Sequence, residues 1–160
     1  MKKIMFLATV LLLLLAGCGK DPVQEDLLNY VNEDLPAVAE LETDAMNAYD
    51  SVTGSNYTDD LTTYNTIVEE VIPTYNEFIK ELEAISVETD EVSKVHEQYI
   101  DVANLQSSAF VNITDALKKG DMGLIADAND QLTEARKGMR EYKSDLKKLA
   151  KEHDVTLENE

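Results

Sequence analysis

The sequence has little of several residue types on which common site chemistries depend. Its 160 residues include no Trp, one Cys, three Pro and six Gly. A single cysteine excludes an internal disulfide framework and a metal site built from several thiolates. Positive charge is also scarce, because 14 Lys and Arg stand against 32 Asp and Glu, which gives a formal net charge of −18. We therefore expect no nucleic-acid partner, since such a surface repels phosphates.

The motifs that accompany the commonest catalytic and metal sites are also missing. The sequence contains no Gly-x-Ser-x-Gly turn, no HExxH pair and no Walker-type phosphate loop. His96 and His153 are not part of the Glu-x-x-His pairs of di-iron bundles, since Ser93 and Ala150 stand three residues before them. We expect both histidines at the surface or its boundary. We also expect that the protein is not an enzyme and that it binds no cofactor or metal.

A long apolar run does occur, at the N-terminus. Lys2 and Lys3 precede an almost unbroken apolar stretch at 4–15, and Leu15-Ala16-Gly17-Cys18 follows. Positive charge, a short apolar run and small residues before a cleavage site are typical of a secretory signal. A run of about twelve residues is too short to span a bilayer.

The tetrapeptide Leu15-Ala16-Gly17-Cys18 resembles the lipobox of bacterial lipoproteins. In that family the Cys thiol receives a diacylglyceryl group and a peptidase cuts before it, so the resemblance implies that Cys18 is the lipidated N-terminus. It implies a protein on the outer face of the cell membrane. The anchor is stable, because two acyl chains bind a membrane firmly whereas a single chain binds only marginally. The rest of the chain is similar to small helical lipoproteins of Gram-positive bacteria. In a Gram-negative host, Gly19-Lys20 lacks the Asp that signals inner-membrane retention, which implies the outer membrane.

Four stretches of the remaining chain carry apolar residues in alternating steps of three and four. This spacing predicts amphipathic helices with left-handed heptad packing. The predicted core positions are Leu28, Val31, Leu35, Val38, Ala45, Tyr49 and Val52; Leu61, Tyr64, Val68, Val71, Tyr75, Phe78, Leu82 and Ile85; Val92, Val95, Tyr99, Val102, Gln106, Ala109, Ile113 and Ala116; and Ile125, Ala128, Leu132, Ala135, Met139, Tyr142, Leu146 and Leu149. No strand-like alternation persists. The sequence predicts an all-α fold, an antiparallel up-down-up-down four-helix bundle.

Turn and cap residues set the predicted boundaries. We assign 1–17 to a lipoprotein signal peptide, 18–20 to the lipidated N-terminus and a short tether, 21–153 to the bundle and 154–160 to an acidic C-terminal tail. Two prolines fall inside predicted helices, where each removes a backbone hydrogen bond. We expect a bend at Pro73, and the sequence leaves open whether Pro36 kinks its helix or restarts it.

Tyrosine is enriched at the predicted core positions, where Leu or Ile is more usual. A buried Tyr needs a hydrogen-bond partner for its hydroxyl. One interpretation is a thin bundle in which the rings pack and the hydroxyls reach water. The other is a semi-polar groove for a small ligand, with Tyr64, Tyr75, Tyr99, Gln106 and Tyr142 as candidate groove residues.

Charge is distributed unevenly along the chain. Residues 21–117 hold 22 acids and two bases, whereas residues 118–160 hold ten acids and nine bases. One interpretation is internal, since a basic last helix relieves repulsion among its acidic neighbours. The other places the basic cluster beside the anchored N-terminus, where each base near an anionic surface contributes about 1 kcal/mol. The candidate membrane-surface contacts are Lys143, Lys147, Lys148 and Lys151.

Two functional hypotheses follow from these patterns. The first is a non-catalytic, lipid-anchored helical bundle at the cell envelope that binds wall polymer or another envelope protein. The alternative is a small-ligand receptor or sensor that uses the Tyr-rich groove between helices.

Overall fold

The structure, a computed structural model, describes residues 20–157. Within this range it is helical and has no β-strand, which confirms the all-α prediction. The helices are α1 (Pro22–Asn29), α2 (Leu35–Asp50), α3 (Asp60–Thr66), α4 (Ile72–Glu83), α5 (Asp90–Lys119) and α6 (Met122–Glu152). Two π-helical segments, Tyr30–Asp34 and Ile67–Val71, join α1 to α2 and α3 to α4, and a short 3-10 helix covers Gly54–Asn56.

The helices pack around an apolar core. α6 lies along α5, α2 lies along α4, and α4 contacts α5, while α1 and α3 also contact α5. The largest fully buried side chains are Tyr30, Tyr75, Phe78, Phe110, Leu27, Ile67, Leu82, Val71 and Val92. Full burial of one such apolar side chain contributes about 1.5–3 kcal/mol, so this core is the main source of stability.

Capping residues determine where the helices begin and end. Asp21, Asp59 and Asp121 are the N-caps of α1, α3 and α6, and each carboxylate accepts a hydrogen bond from a backbone N–H of the first turn. Gly54 and Gly120 have φ angles of 57° and 66°. This left-handed conformation carries no steric penalty for glycine, and at Gly120 it closes α5.

The π-helical segments explain how the chain passes through two prolines without a break. Pro36 and Pro73 each occupy the second position of the helix that follows a π-helical segment. A proline has no N–H to donate, and its ring crowds the carbonyl four residues earlier. Just before Pro36 the hydrogen-bonding pattern widens, and the N–H of Leu35 donates to the carbonyl of Tyr30, five residues back. The same widening occurs before Pro73.

The widened turns shift the buried face of the chain by one residue. The heptad spacing places Leu28, Leu61 and Val68 in the core, and this was wrong, because they are 39%, 68% and 38% exposed. The residues just before Leu28 and Val68, which are Leu27 and Ile67, are fully buried instead, whereas Leu61 is exposed in the first turn of α3. A π-helical turn closes over one more residue than an α-helical turn. A repeat counted in steps of three and four therefore loses its register across each π-helical segment.

A buried carboxylate ties the connection between α4 and α5 to α1. Asp26 accepts hydrogen bonds from the backbone N–H of Glu88 at 3.1 Å and of Thr89 at 2.8 Å. It also accepts one from the Thr89 hydroxyl at 2.6 Å. Thr89 is the N-cap residue of α5, yet its hydroxyl makes no bond to its own helix. Asp26 therefore holds the start of α5 against α1.

The chain continues to pack after the end of α6. Asp154 adopts a left-handed conformation with φ of 54°, and the N–H of Val155 donates to the carbonyl of Ala150 at 2.8 Å. This is the Schellman arrangement of a helix C-terminus. Val155 is buried and Leu157 is half-buried against the core. Part of the segment 154–160 thus contributes to the folded unit.

Candidate functional site

The start of α1 and the end of α6 meet at one end of the molecule. Asp21 Oδ2 lies 2.6 Å from His153 Nδ1, and Gln24 Nε2 donates to the backbone carbonyl of His153 at 2.8 Å. The hydrogen bond with His153 is the largest cause that lowers the pKa of Asp21 below its ordinary value. Cys18 is three residues before Asp21 in the sequence and lies outside the described residues. The predicted anchor therefore leads directly into this end.

The four candidate membrane contacts lie on the exposed surface of α6 near the same end. They are Lys143, Lys147, Lys148 and Lys151, here called the α6 lysines, and all are exposed. Lys148 Nζ lies 4.0 Å from Glu152 Oε1. An exposed ion pair of this kind contributes about 0–1 kcal/mol, so it leaves the lysine available to a stronger anionic surface. Membrane contact by these residues stays a prediction.

A chain of aromatic and polar side chains crosses the core where the first π-helical segment meets α5 and α6. The hydroxyls of Tyr30 and Tyr142 lie 3.4 Å apart, and His96 Nδ1 lies 3.3 Å from the Tyr30 hydroxyl. The Tyr142 ring stacks on Tyr99 with centroids 4.7 Å apart. The Tyr99 hydroxyl donates to Glu42 Oε2 at 2.7 Å. These five residues, the Tyr30 network, satisfy the hydroxyls of all three tyrosines.

Burial sets the protonation states in the Tyr30 network. Desolvation raises the pKa of Tyr30 and Tyr99 well above the ordinary value, and it raises the pKa of Tyr142 to about 12. Desolvation lowers the pKa of His96. Near neutral pH the phenols therefore stay protonated and the imidazole favours its neutral form. The prediction of His96 at the surface or boundary was wrong, because the side chain is buried.

The Tyr30 network borders a groove on the side of the molecule. This lateral groove has a volume of about 530 Å³ and lies between the first helical region and α6. Its lining includes Leu35, Glu42, Tyr99, Met139, Tyr142 and Lys143. The volume falls within the roughly 300–1,000 Å³ of small-ligand sites, and the mixture of apolar walls with a few polar groups is typical of them.

The structure brings together only part of the predicted groove. Tyr99 and Tyr142 both line the lateral groove. Tyr75 instead packs in the core against aromatic rings, with centroids 5.2 Å from Phe78 and 5.3 Å from Phe110.

The two other predicted groove residues lie elsewhere. Gln106 is half-buried, and its Nε2 contacts Met46 Sδ. Tyr64 is half-buried on α3. Neither is among the residues that line the lateral groove.

Sequence reasoning missed Tyr30 and Glu42 as members of the site. Tyr30 stands one residue before Val31, the position that the heptad spacing placed in the core. The signal for the shift was Pro36, because a proline inside a helical pattern calls for a change in the hydrogen-bonding pattern just before it. Glu42 interrupts the apolar spacing of the first stretch, and its partner, the Tyr99 hydroxyl, comes from a distant part of the chain.

Two properties of the described part of the chain bear on other functions. Between residues 20 and 157, no three or more His, Cys, Asp or Glu side chains are grouped so that they could hold a metal ion. In the same range no helix is both long enough and apolar enough to span a bilayer.

Comparison with known protein families gives a match. Residues 23–154 match the model of a protein family described as Uncharacterised lipoprotein PM1805. Neither the curated proteins nor the solved structures include a significant match. The matched range runs from the first turn of α1 to just past the end of α6, and so includes every helix described above. The chain therefore belongs to the lipoprotein family PM1805.

Proposed function

We propose that this protein is a non-catalytic lipoprotein that is anchored through acyl chains on Cys18 and binds a partner at the cell envelope. The observation that carries the proposal is the sequence Leu15-Ala16-Gly17-Cys18, which directly precedes a helical unit whose first cap is Asp21. Membership of a lipoprotein family supports it. Each buried CH₂ of an acyl chain contributes about 0.8 kcal/mol, so a diacylated Cys18 is a stable anchor. The partner is a wall polymer or another envelope protein.

The location follows from the same anchor. The outer face of the cell membrane of a Gram-positive bacterium is the favoured site. If the host is Gram-negative, Gly19-Lys20 favours sorting to the outer membrane, because the retention signal is an Asp.

The folded unit that we propose is an up-down-up-down four-helix bundle with left-handed heptad packing over residues 21–153. Its four members are α1 joined to α2, α3 joined to α4, α5 and α6. The contacts of α5 with α6, of α4 with α5 and of α2 with α4 support this topology, as do the short turns between them. The hydrogen bond between Asp21 and His153 also supports it, because an even number of antiparallel helices returns the chain to its starting end.

The α6 lysines give the anchored bundle an orientation. They lie at the end of the molecule that leads to Cys18. Residues 21–117 hold 22 acids and two bases, and these acids are spread along the molecule, with Asp21 at the same end as the lysines. Anionic headgroups attract the lysines, each by about 1 kcal/mol, and repel the acidic body. The bundle then stands with its other end away from the membrane.

The Cys18→Ser substitution tests the anchor. Wild-type protein should fractionate with membranes and carry the added mass of a diacylglyceryl Cys. C18S should keep its signal peptide and lack that mass, since serine cannot form the thioether. Lys20→Gln is the matched control, because it alters the tether and leaves the thiol, and it should behave as wild type. Membrane-bound, fully processed C18S would refute the proposal.

A small-ligand receptor or sensor is the second candidate function. The lateral groove favours it, because Tyr99 and Tyr142 present stacked rings beside the Glu42 carboxylate. Native mass spectrometry of the protein from its own host should then show a copurifying molecule of fixed mass. Met139→Trp should fill the groove and abolish that mass. If the wild type shows the mass of the chain alone, the first function is favoured, a lipoprotein that binds an envelope partner.

A further inference from the structure

A second pocket lies at the end of the molecule opposite the contact between Asp21 and His153. The turns between α2 and α3 and between α5 and α6 enclose about 560 Å³ there. We call it the tip pocket and define it by six lining residues, Tyr49, Tyr57, Asp60, Leu117, Asp121 and Met122. α6 begins at this pocket and has 31 residues, so the opposite end is about 46 Å away. The tip pocket and the lateral groove share no lining residue.

The tip pocket has an apolar interior and leaves large apolar side chains exposed beside it. Ile113, Leu117 and Ile125 contribute to its wall, and the Tyr49 ring packs on Phe110 with centroids 5.0 Å apart. Tyr57 and Met122 are 51% and 77% exposed. Exposed apolar groups around a concave site mark binding surfaces more often than isolated ones do.

The turns that frame the pocket leave room for a ligand. Gly54 and Gly120 both line it. A Cβ built on either glycine would meet no described atom within 4 Å. The left-handed backbone at these two positions turns the chain sharply without placing a side chain in the opening.

The charged side chains that line the tip pocket are both acidic, although Lys118 and Lys119 directly precede Gly120 in the sequence. Among the residues that line the pocket, the charged ones are Asp60 and Asp121, and both are exposed. The Tyr57 hydroxyl donates to Asp60 Oδ1 at 2.9 Å, and Asp121 Oδ1 accepts from the N–H of Gly123 at 2.9 Å. These bonds fix both carboxylates at the pocket. Burial raises the pKa of Tyr49, and the positive charge of Arg136, further along α6, partly offsets this shift. Arg136 is not part of the lining.

We propose that the tip pocket binds a small amphipathic organic cation, an apolar body that carries a protonated amine or a quaternary ammonium. The body fills the space against Leu117 and Ile125. The cation lies near the carboxylates of Asp60 and Asp121, where the face of Tyr57 also attracts positive charge. Anions of the same size are repelled both locally and by a chain of net charge −18. The proposal does not depend on the anchor or on the lateral groove.

The test uses three probes that share a phenylbutyl body and differ in charge: 4-phenylbutylamine, 4-phenylbutanol and 4-phenylbutyrate. Full-length lipoprotein in nanodiscs of neutral lipid is labelled with ¹³C at its methionine methyl groups, and probe binding to empty nanodiscs is subtracted. Met122 reports on the tip pocket and Met139 on the lateral groove. The amine should shift the Met122 signal saturably. The alcohol should bind about fivefold more weakly, the effect of one exposed charge pair, and the butyrate more weakly still.

Asp60→Asn separates the charge effect from the apolar contacts. It should weaken binding of the amine about twofold, part of the way to the affinity for the alcohol, because Asp121 keeps its charge. The affinity for the alcohol should not change. Asp101→Asn is the matched control, since it removes an exposed acid from the middle of α5, and it should leave both affinities unchanged. If D60N is not folded by circular dichroism, the three-probe comparison on the wild type decides. The proposal is overturned if Met122 does not respond, if only Met139 responds, or if the three probes bind alike.

Discussion

Asp26 provides the sharpest test of what holds α5 against α1. Removing one negative charge from a strongly acidic chain should relieve repulsion, whereas removing the charge of Asp26 should destabilise the fold. The carboxylate accepts bonds from the N–H groups of Glu88 and Thr89 and from the Thr89 hydroxyl. Asp26→Asn keeps the shape but turns an N–H₂ toward these donors. At least one bond to a charged acceptor is lost, about 1.5–3 kcal/mol, and a buried N–H is left unpaired at a cost of about 1–3 kcal/mol. We expect the free energy of unfolding to fall by about 3 kcal/mol.

Urea denaturation followed by far-UV circular dichroism measures this change. Asp44→Asn is the matched control, because Asp44 is an exposed acid on α2. It removes the same charge from a chain of net charge −18, so it should be neutral or slightly stabilising, within about 0.5 kcal/mol. D26N should therefore be clearly less stable than D44N, although both lose one negative charge. A D26N midpoint equal to that of D44N would show that the carboxylate does not hold α5 against α1.

Three further predictions concern other parts of the chain. Burial lowers the pKa of His96, so the unfolded state takes up the proton at a higher pH than the folded state. The free energy of unfolding should therefore fall as pH drops through about 6.5 and level off below the folded pKa. In His96→Gln, urea midpoints measured between about pH 5 and 8 should not show this fall. Replacing the four α6 lysines with Gln should weaken binding of the full-length protein to anionic vesicles over neutral ones at low salt, whereas a change equal for both vesicle types would contradict the orienting role. A Cβ at Gly138 would lie 2.6 Å from Val102 Cγ2, so Gly138→Ala should lower stability by about 1 kcal/mol as overpacking outweighs helix propensity; in thermal melts Val102→Ala should remove that penalty, and additive effects would refute the contact.

Much of the fold could be predicted from the sequence, because the spacing of apolar residues in α5 and α6 is regular and uninterrupted. The predicted positions from Val92 to Ala116 are buried apart from Gln106. Asp21, Asp59 and Asp121 cap helices, and aspartate is one of the residue types preferred at that position. These features depend on local chemistry, namely the helical period and the side-chain acceptors at helix N-termini.

The candidate site could be predicted only in part, because it depends on the first π-helical segment, Tyr30–Asp34. Without the widened turn before Pro36, Val31 rather than Tyr30 would face the core. The Tyr30 hydroxyl is the group that joins His96 to Tyr142. Apolar spacing in steps of three and four therefore does not predict the network. The tip pocket was missed for another reason. Its lining comes from two turns that are far apart in sequence and from the ends of the helices beside them. A periodic pattern within one helix does not predict how these segments pack together.

The two ends of the molecule differ in a way that bears on how an anchored protein finds its partner. One end leads to Cys18 and carries the α6 lysines beside the Asp21–His153 contact, while the other carries exposed Tyr57 and Met122 around two carboxylates. A separation of about 46 Å exceeds the Debye length of roughly 8 Å at physiological ionic strength. If both proposals hold, anionic headgroups would attract the lysines without competing for a cation in the tip pocket. At the anchored end, by contrast, an acidic pocket and the anionic membrane surface would compete for the same cations. The proposed anchoring and the proposed cation binding would therefore be independent of each other.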